Sequence, residues 1–290
     1  TNTVQGSKDI SNNFVGGTGT DTLSYSGADA SISINIAAGT ASGDGTATDT
    51  FSSIEGFIGS GLADTFTNDS IDGISINGLG NTTGIDKVDY SSSTTAQSVV
   101  VNGSTITVTA SSKTDTLTNI EHLKTGSGND NYILQSVVGI DTLDASGGID
   151  SLSVTGTNVD LSKVTLLNFE EILATNGQIV TISATDIDDS SMILHTQGTG
   201  QIIVKATSTI SDHDFGAVTV NNEGGTGSIK LQVNANINLT TRDLNDIFDE
   251  FVVNTGTLTL TEAQVIGSNT PTITGAGSAV VEVSTTTSNT

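Results

Sequence analysis

The chain has 290 residues, with eight Lys plus Arg against thirty-two Asp plus Glu and a formal charge of -24; it contains no Cys, no Trp and one Pro, Pro271. Such a balance argues against nucleic acid, whose binders need clustered basic residues to displace counterions, and it disfavours anionic polysaccharides and acidic membrane surfaces for the same reason. Without Cys there is no disulfide scaffold, and no run approaches the roughly eighteen apolar residues of a membrane-spanning helix. Charged residues make up 14% and hydrophobic residues 34%. The abundance of Thr, Ser, Gly, Val and Ile is a strand composition, too rich in β-branched side chains for a disordered acidic tail. The chain opens at Thr1 with neither Met nor a signal-like segment, which leads us to expect a piece of something longer.

In chain order, the first phrase to stand out is Gly16-Gly17-Thr18-Gly19-Thr20-Asp21-Thr22-Leu23-Ser24. It predicts a tight turn followed by a short strand. Ser31 to Ile36 then alternates small polar residues with Ile, which buries one face of a strand. Thr48-Asp49-Thr50-Phe51-Ser52-Ser53-Ile54-Glu55 follows, and then a Gly/Ser turn and Asp64. The same landmarks return in 84–132. Gly84-Ile85-Asp86-Lys87-Val88-Asp89-Tyr90 answers Gly19 to Tyr25, and Thr114 to Glu121 answers Thr48 to Glu55. Asp130 answers Asp64, and the strand-like stretch 99–109 lies between. A doublet comes next, Gly139-Ile140-Asp141-Thr142-Leu143 and Gly148-Ile149-Asp150-Ser151-Leu152, where a degenerate third copy begins. Beyond it, Phe169 to Ala174 with Ile179 to Ala184 recurs as Phe248 to Val253 with Leu258 to Ala263. The interval 242–251 has apolar residues at helical spacing, but its earlier counterpart lacks that polarity, so a turn into a strand is expected with at most one helical turn. Internal repeats of this kind mark stacked coils.

The phrase Gly-Gly-x-Gly-x-Asp-x-aliphatic-x is the repeat of parallel β-rolls. Its glycines turn the chain at φ values that other residues resist. Carbonyls and the Asp carboxylate then form an oxygen cage suited to a hard cation such as Ca²⁺, and the aliphatic residue points into the core. Residues 16–24 match the whole phrase, and Gly126-Ser127-Gly128-Asn129-Asp130 matches its turn half, with Ile133 one place off the aliphatic position. The doublet keeps Gly-x-Asp-x-Leu, and is expected to form two consecutive coils with Asp141 and Asp150 on one rim and Leu143 and Leu152 in the core. On these residues, 1–156 resembles the repeats-in-toxin (RTX) family of secreted bacterial proteins. The remainder is similar in texture to the Thr-rich solenoid parts of type I-secreted surface-layer proteins and large adhesins.

The expected fold is therefore all-β, a right-handed parallel β-helix or β-roll solenoid with little or no helix. Residues 1–156 would be its calcium-associated part and 157–290 a Thr-rich continuation. The candidate Ca²⁺ residues are Gly17, Gly19, Asp21, Asp86, Gly126, Gly128, Asp130, Gly139, Asp141, Gly148 and Asp150. Asp49, Asp64 and Asp115, which lack the full phrase, are expected only to cap local turns. H-E-x-x-H, G-x-S-x-G and P-loop motifs are absent. Asp212-His213-Asp214 reads as a solvated loop, and His122 and His195 as isolated residues on strands, so no enzyme is expected. The resemblance implies a structural part of a bacterial cell-surface coat, calcium-stabilised, self-associating into a lattice and exported by type I secretion. A cell-surface glycan is a further candidate partner. The alternatives are a rod-like section of an adhesin or, more remotely, a β-helical polysaccharide lyase or epimerase, which the scarcity of Lys and Arg opposes.

Overall fold

The computed structural model of the chain describes residues 1–45, 47–80, 84–187, 190–207, 215–239, 244, 247–265, 271–275 and 280–284. Two compact units divide them: Thr1–Ser151 with Leu166–Phe169, and Leu152–Thr165 with Glu170–Thr290. Both are built almost wholly of short strands paired in parallel, as in a β-helix or β-roll. The helical segments among the described residues are one α-turn, Glu262–Val265, and one 3₁₀ turn, Ala184–Asp186. No helix is long and apolar enough to cross a membrane. Asp212 to Asp214 and Arg242 lie outside the described residues.

The first unit stacks strands into two sheets. One column of inward side chains runs Val4, Leu23, Phe57, Ile76 in cross-strand register. The other runs Ile34, Phe66, Val88, Leu123, Leu143. Apart from half-buried Val4 at the edge of the stack, these residues are fully or almost fully buried. The period-two alternation in the sequence puts them there, since alternate side chains of a strand point to opposite faces. The two inner faces meet at Phe51 and Phe57, whose ring centroids are 5.2 Å apart. Each such side chain contributes about 1.5–3 kcal/mol of burial free energy.

Not every neighbour is parallel. Ser33–Asn35, Thr40–Ser42 and Thr48–Ser52 form an antiparallel meander, and Ser98–Asn102, Thr105–Ala110 and Lys113–Thr118 form a second. The outer strands of each meander then rejoin parallel partners. The sequence duplication thus reproduces a structural one, but with a twist of placement. Thr22–Ser24 belongs to one sheet and its copy Lys87–Asp89 to the other, and the two meanders likewise lie in opposite sheets. One repeat therefore climbs an odd number of half-coils.

The second unit continues parallel pairing through Ile179–Ser183, Gln201–Ala206, Ser228–Val233 and Glu250–Val253. Val180, Ile202, Ile229 and then Leu231, Phe251 fill its core. The later sequence recurrence is structural too: Glu171–Ala174 and Glu250–Val253 are strands, as are Ile179–Ser183 and Thr257–Thr261. Of the segment that could have been helical on spacing, Arg242, Asp243, Asn245 and Asp246 lie outside the described residues, and Glu250 and Phe251 open a strand.

Candidate metal centre and inter-coil carboxylates

A parallel ladder leaves a backbone N–H without a partner wherever a strand begins at a turn, and a buried N–H must be satisfied. This chain meets the need with carboxylates. The residue just before each of several strands is an Asp, and its Oδ1 accepts the amide of the residue opposite it in the preceding coil. Asn2 N–H donates to Asp21 at 2.8 Å, Ile32 to Asp64 at 2.6 Å, Asp64 to Asp86 at 2.7 Å, Gln97 to Asp130 at 2.8 Å and Asp130 to Asp150 at 2.6 Å. Glutamates do the same one coil on: Asp21 N–H donates to Glu55 Oε2 at 3.0 Å, and Asp86 N–H to Glu121 Oε2 at 2.8 Å. Charged acceptors make roughly twice as strong a hydrogen bond as neutral ones. The carboxylates are thus staples between coils.

Asp49 and Asp115, expected only to cap local turns, are staples as well. Asp49 Oδ1 accepts from Asn12 N at 2.7 Å and Oδ2 from the Tyr25 hydroxyl at 2.7 Å. Asp115 Oδ1 accepts from the amides of Asp72, Gly73 and Ile74 at 2.8–3.0 Å, and Oδ2 from the Tyr90 hydroxyl at 2.8 Å. Asp64 is satisfied on both oxygens, by Ile32 N, Ser60 Oγ and Ser60 N. The signal shared by these sites is Asp-Thr-aliphatic or Asp-Thr-aromatic, as in Asp49-Thr50-Phe51, Asp64-Thr65-Phe66 and Asp115-Thr116-Leu117. It needs no glycines, which is why the full nine-residue phrase failed to single them out.

The doublet is corrected in one respect. Leu143 and Leu152 are both fully buried, as expected. Yet Thr142–Asp144 and Ser151–Val154 lie in different sheets, so the two phrases are consecutive half-coils. Asp141 is exposed, and its N–H pairs with the Glu121 carbonyl at 2.9 Å. Asp150 is fully buried. They do not share a rim. At the 126–130 turn, Tyr132 rather than Ile133 takes the inward place. The glycines behave as turn residues: Gly17, Gly19, Gly139 and Gly148 have positive φ. Gly126 and Gly128 have no room for a Cβ, which would fall 2.1 Å from the Ser93 carbonyl oxygen and 2.5 Å from the Ala96 nitrogen.

For a cation, two observations bear on the fit. Asp21 Oδ2 and Asp130 Oδ2 are shielded from solvent and accept no hydrogen bond within the described residues. Each is a spare buried anionic oxygen beside a glycine turn, and Ca²⁺ is held largely by such oxygens and backbone carbonyls. Against this, among the described residues no group of three or more His, Asp or Glu side chains is placed to hold a metal. A cation at either turn would therefore rest on that one shielded carboxylate oxygen rather than on a cluster of acids. Asp141 is exposed and adds no shielded oxygen.

Burial raises the carboxyl pKa of Asp64, Asp115 and Asp130, with hydrogen bonds only partly offsetting it. A carboxyl with a raised folded-state pKa contributes stability that is complete below its unfolded pKa of about 3.9 and is lost as pH rises through the folded value. Asp72 and Glu250 are held low, the first by the Ser70 hydroxyl and Lys113, the second by Lys230 and Thr274. Their contribution is lost only once pH falls through their depressed values. As pH falls through the raised folded values toward about 3.9, the burial cost of these three groups should therefore be relieved and the denaturant midpoint of the metal-free chain should rise; a fall over that interval would contradict the assignment of the buried staples.

The second unit staples its coils mainly with carboxamides. Gln178 Oε1 accepts from Thr175 N at 2.8 Å while its Nε2 reaches back to the Val154 carbonyl. Gln264 repeats the device with Thr261 N and the Leu239 carbonyl. Asn176, Asn236 and Asn254 bond along the stack in the same manner. A carboxamide is neutral, so these links carry neither a desolvated charge nor a pH dependence. Asp249, accepting from Ile229 N at 2.8 Å, is a carboxylate staple in this unit. His195 lies between two glutamates, with Nδ1 2.5 Å from Glu171 and Nε2 3.7 Å from Glu223. It is a cross-strand contact between side chains.

No protein-family model and no curated protein matches the chain.

Proposed function

We propose that this chain is a structural segment of a calcium-stabilised, self-assembling coat on a bacterial cell surface, exported by type I secretion, with no catalytic role. The observation that carries the reading is the set of buried carboxylates at the coil turns, of which Asp21 and Asp130 each retain a shielded oxygen without a hydrogen bond. A coat protein gains from this arrangement. It folds poorly where Ca²⁺ is scarce, inside the cell, and tightens where Ca²⁺ is plentiful, outside it. The coils themselves are held by backbone ladders, a construction suited to a load-bearing layer, and the resemblance of 16–24 and 126–130 to RTX turns points the same way. Cell-surface glycan is the expected seat of such a coat.

The test is assembly. Purified chain imaged by negative-stain electron microscopy, before and after addition of millimolar Ca²⁺, should form ordered two-dimensional arrays only with the ion. Dispersed monomers under both conditions would overturn the coat reading and favour the adhesin section. Turnover of a uronate polymer would overturn the non-enzymatic reading.

A further inference from the structure

In the first unit, the turn Ser92–Thr95, the turn beginning at Asp69 and the tip of the second meander enclose a cleft of about 330 Å³. That volume lies at the lower end of small-molecule sites. Its floor is apolar, made by buried Ile71 and Ala110. Its rim carries the hydroxyls of Ser92, Thr94, Thr95 and Ser111, which have no hydrogen-bond partner among the described residues. The cationic group at the rim, Lys113, is matched by Asp72 at 3.3 Å, and Asp69 adds a negative charge.

The cleft is not a by-product of the scaffold. Tyr90 and Asp115 have their counterparts in Tyr25 and Asp49, with the same hydrogen bond in each copy. Counting from those tyrosines, Ser92-Ser93-Thr94-Thr95 corresponds to Gly27-Ala28-Asp29-Ala30, which carries no hydroxyl. The coil stack is thus satisfied by either turn, and the hydroxyl cluster belongs to the second copy alone. The meander tip points the same way. Ser111 and Ser112 sit at φ 50 and φ 67, in a two-residue hairpin turn where Asn-Gly is usual.

We infer that this cleft binds a neutral saccharide. Hydroxyls donate and accept, so a ring of unpartnered ones matches a ligand whose own groups are hydroxyls, while the apolar floor meets the C–H face of a sugar. Anionic sugars are disfavoured, because the one lining cation among the described residues is already paired and the chain carries a charge of -24. Among the described residues the lining has no aromatic platform, so each site is weak, and useful attachment comes from many copies acting together. That last step rests on the coat reading; binding itself does not.

The experiment probes the full chain against immobilised neutral oligosaccharides of hexoses and N-acetylhexosamines, with uronate-containing oligosaccharides alongside. Neutral members should bind. Exposed Thr94→Val, which removes a rim hydroxyl at nearly constant volume, and Ser111→Gly, which removes another and suits the positive φ, should each weaken binding severalfold. Asp29→Ala, at the corresponding turn of the first copy, should leave it unchanged. Circular dichroism verifies that the variants fold. The inference is overturned by absence of neutral-sugar binding at millimolar ligand, by binding confined to uronates, or by binding that survives both cleft substitutions. Saccharide binding without arrays would sink the coat and leave the cleft; arrays without saccharide binding would do the reverse.

Discussion

Asp115→Ala is expected to lower the stability of the first unit by about 3–5 kcal/mol, the scale of leaving several buried donors without their acceptor. The carboxylate accepts three consecutive backbone amides and the Tyr90 hydroxyl, and it is fully buried. Truncation leaves four donors unsatisfied, each costing roughly 1–3 kcal/mol where water cannot replace the lost partner. Relaxation and entry of water at the Asp72–Gly73 turn reduce the sum to the stated range. Asp115→Asn keeps an acceptor for the amides but sets its NH₂ against the Tyr90 oxygen, so its cost should fall below that of Ala. The chain offers a clean readout. It has no Trp, and Tyr25, Tyr90 and Tyr132 all lie in the first unit. Tyrosine fluorescence therefore reports denaturation of that unit alone. A cost for Asp115→Ala below about 1 kcal/mol, less than a single lost hydrogen bond, would show that the staple does not hold the coils.

Calcium should protect the two units unequally. Extracellular-type sites have dissociation constants on the order of 10⁻⁴–10⁻³ M, and a tenfold excess of ion over that constant adds about 1.4 kcal/mol per site. With 10 mM Ca²⁺, the tyrosine-monitored midpoint should rise, and amide hydrogen exchange should slow around 16–24 and 126–132. Strands 171–174, 193–197 and 201–206 should change little, since glutamine and asparagine hold the neighbouring turns. Asp21→Asn and Asp130→Asn, combined, should remove most of the gain. Equal protection of both units, or none, would refute calcium binding at these turns. Because a bound cation neutralises the buried carboxylates, it should also flatten the stabilisation on mild acidification expected of the metal-free chain.

Much of the architecture was legible because its signals are local. Alternation such as Ser31 to Ile36 fixes which face is buried, and the paired landmarks at Asp21/Asp86 and Glu55/Glu121 announce a repeat. The role of the acids was less legible. A glycine-rich turn and an Asp read as an ion cage when taken alone, but whether the carboxylate meets an ion or a neighbouring amide depends on the preceding coil. That coil lies 19 residues back for Asn2–Asp21 and 41 back for Ile74–Asp115. At 130–133 the phase alone decides: Asp130-Asn131-Tyr132 puts Tyr132 in the core, and Ile133, one place off, is only half-buried. The cleft hydroxyls were invisible for a different reason: Ser and Thr abound throughout, and only folding gathers Thr94 and Ser111 onto one rim.

The half-coil climb of each repeat imposes a parity on the molecule's growth. Copying or deleting one whole repeat keeps the tyrosine–carboxylate staple, since Tyr90 with Asp115 restates Tyr25 with Asp49. It also exchanges the outward faces of everything that follows, because the next copy starts on the other sheet. Two repeats together restore the original faces. A lineage or a designer adding length by single units would alternate what the surface presents, while additions in pairs would lengthen the stack and leave its exterior pattern in phase.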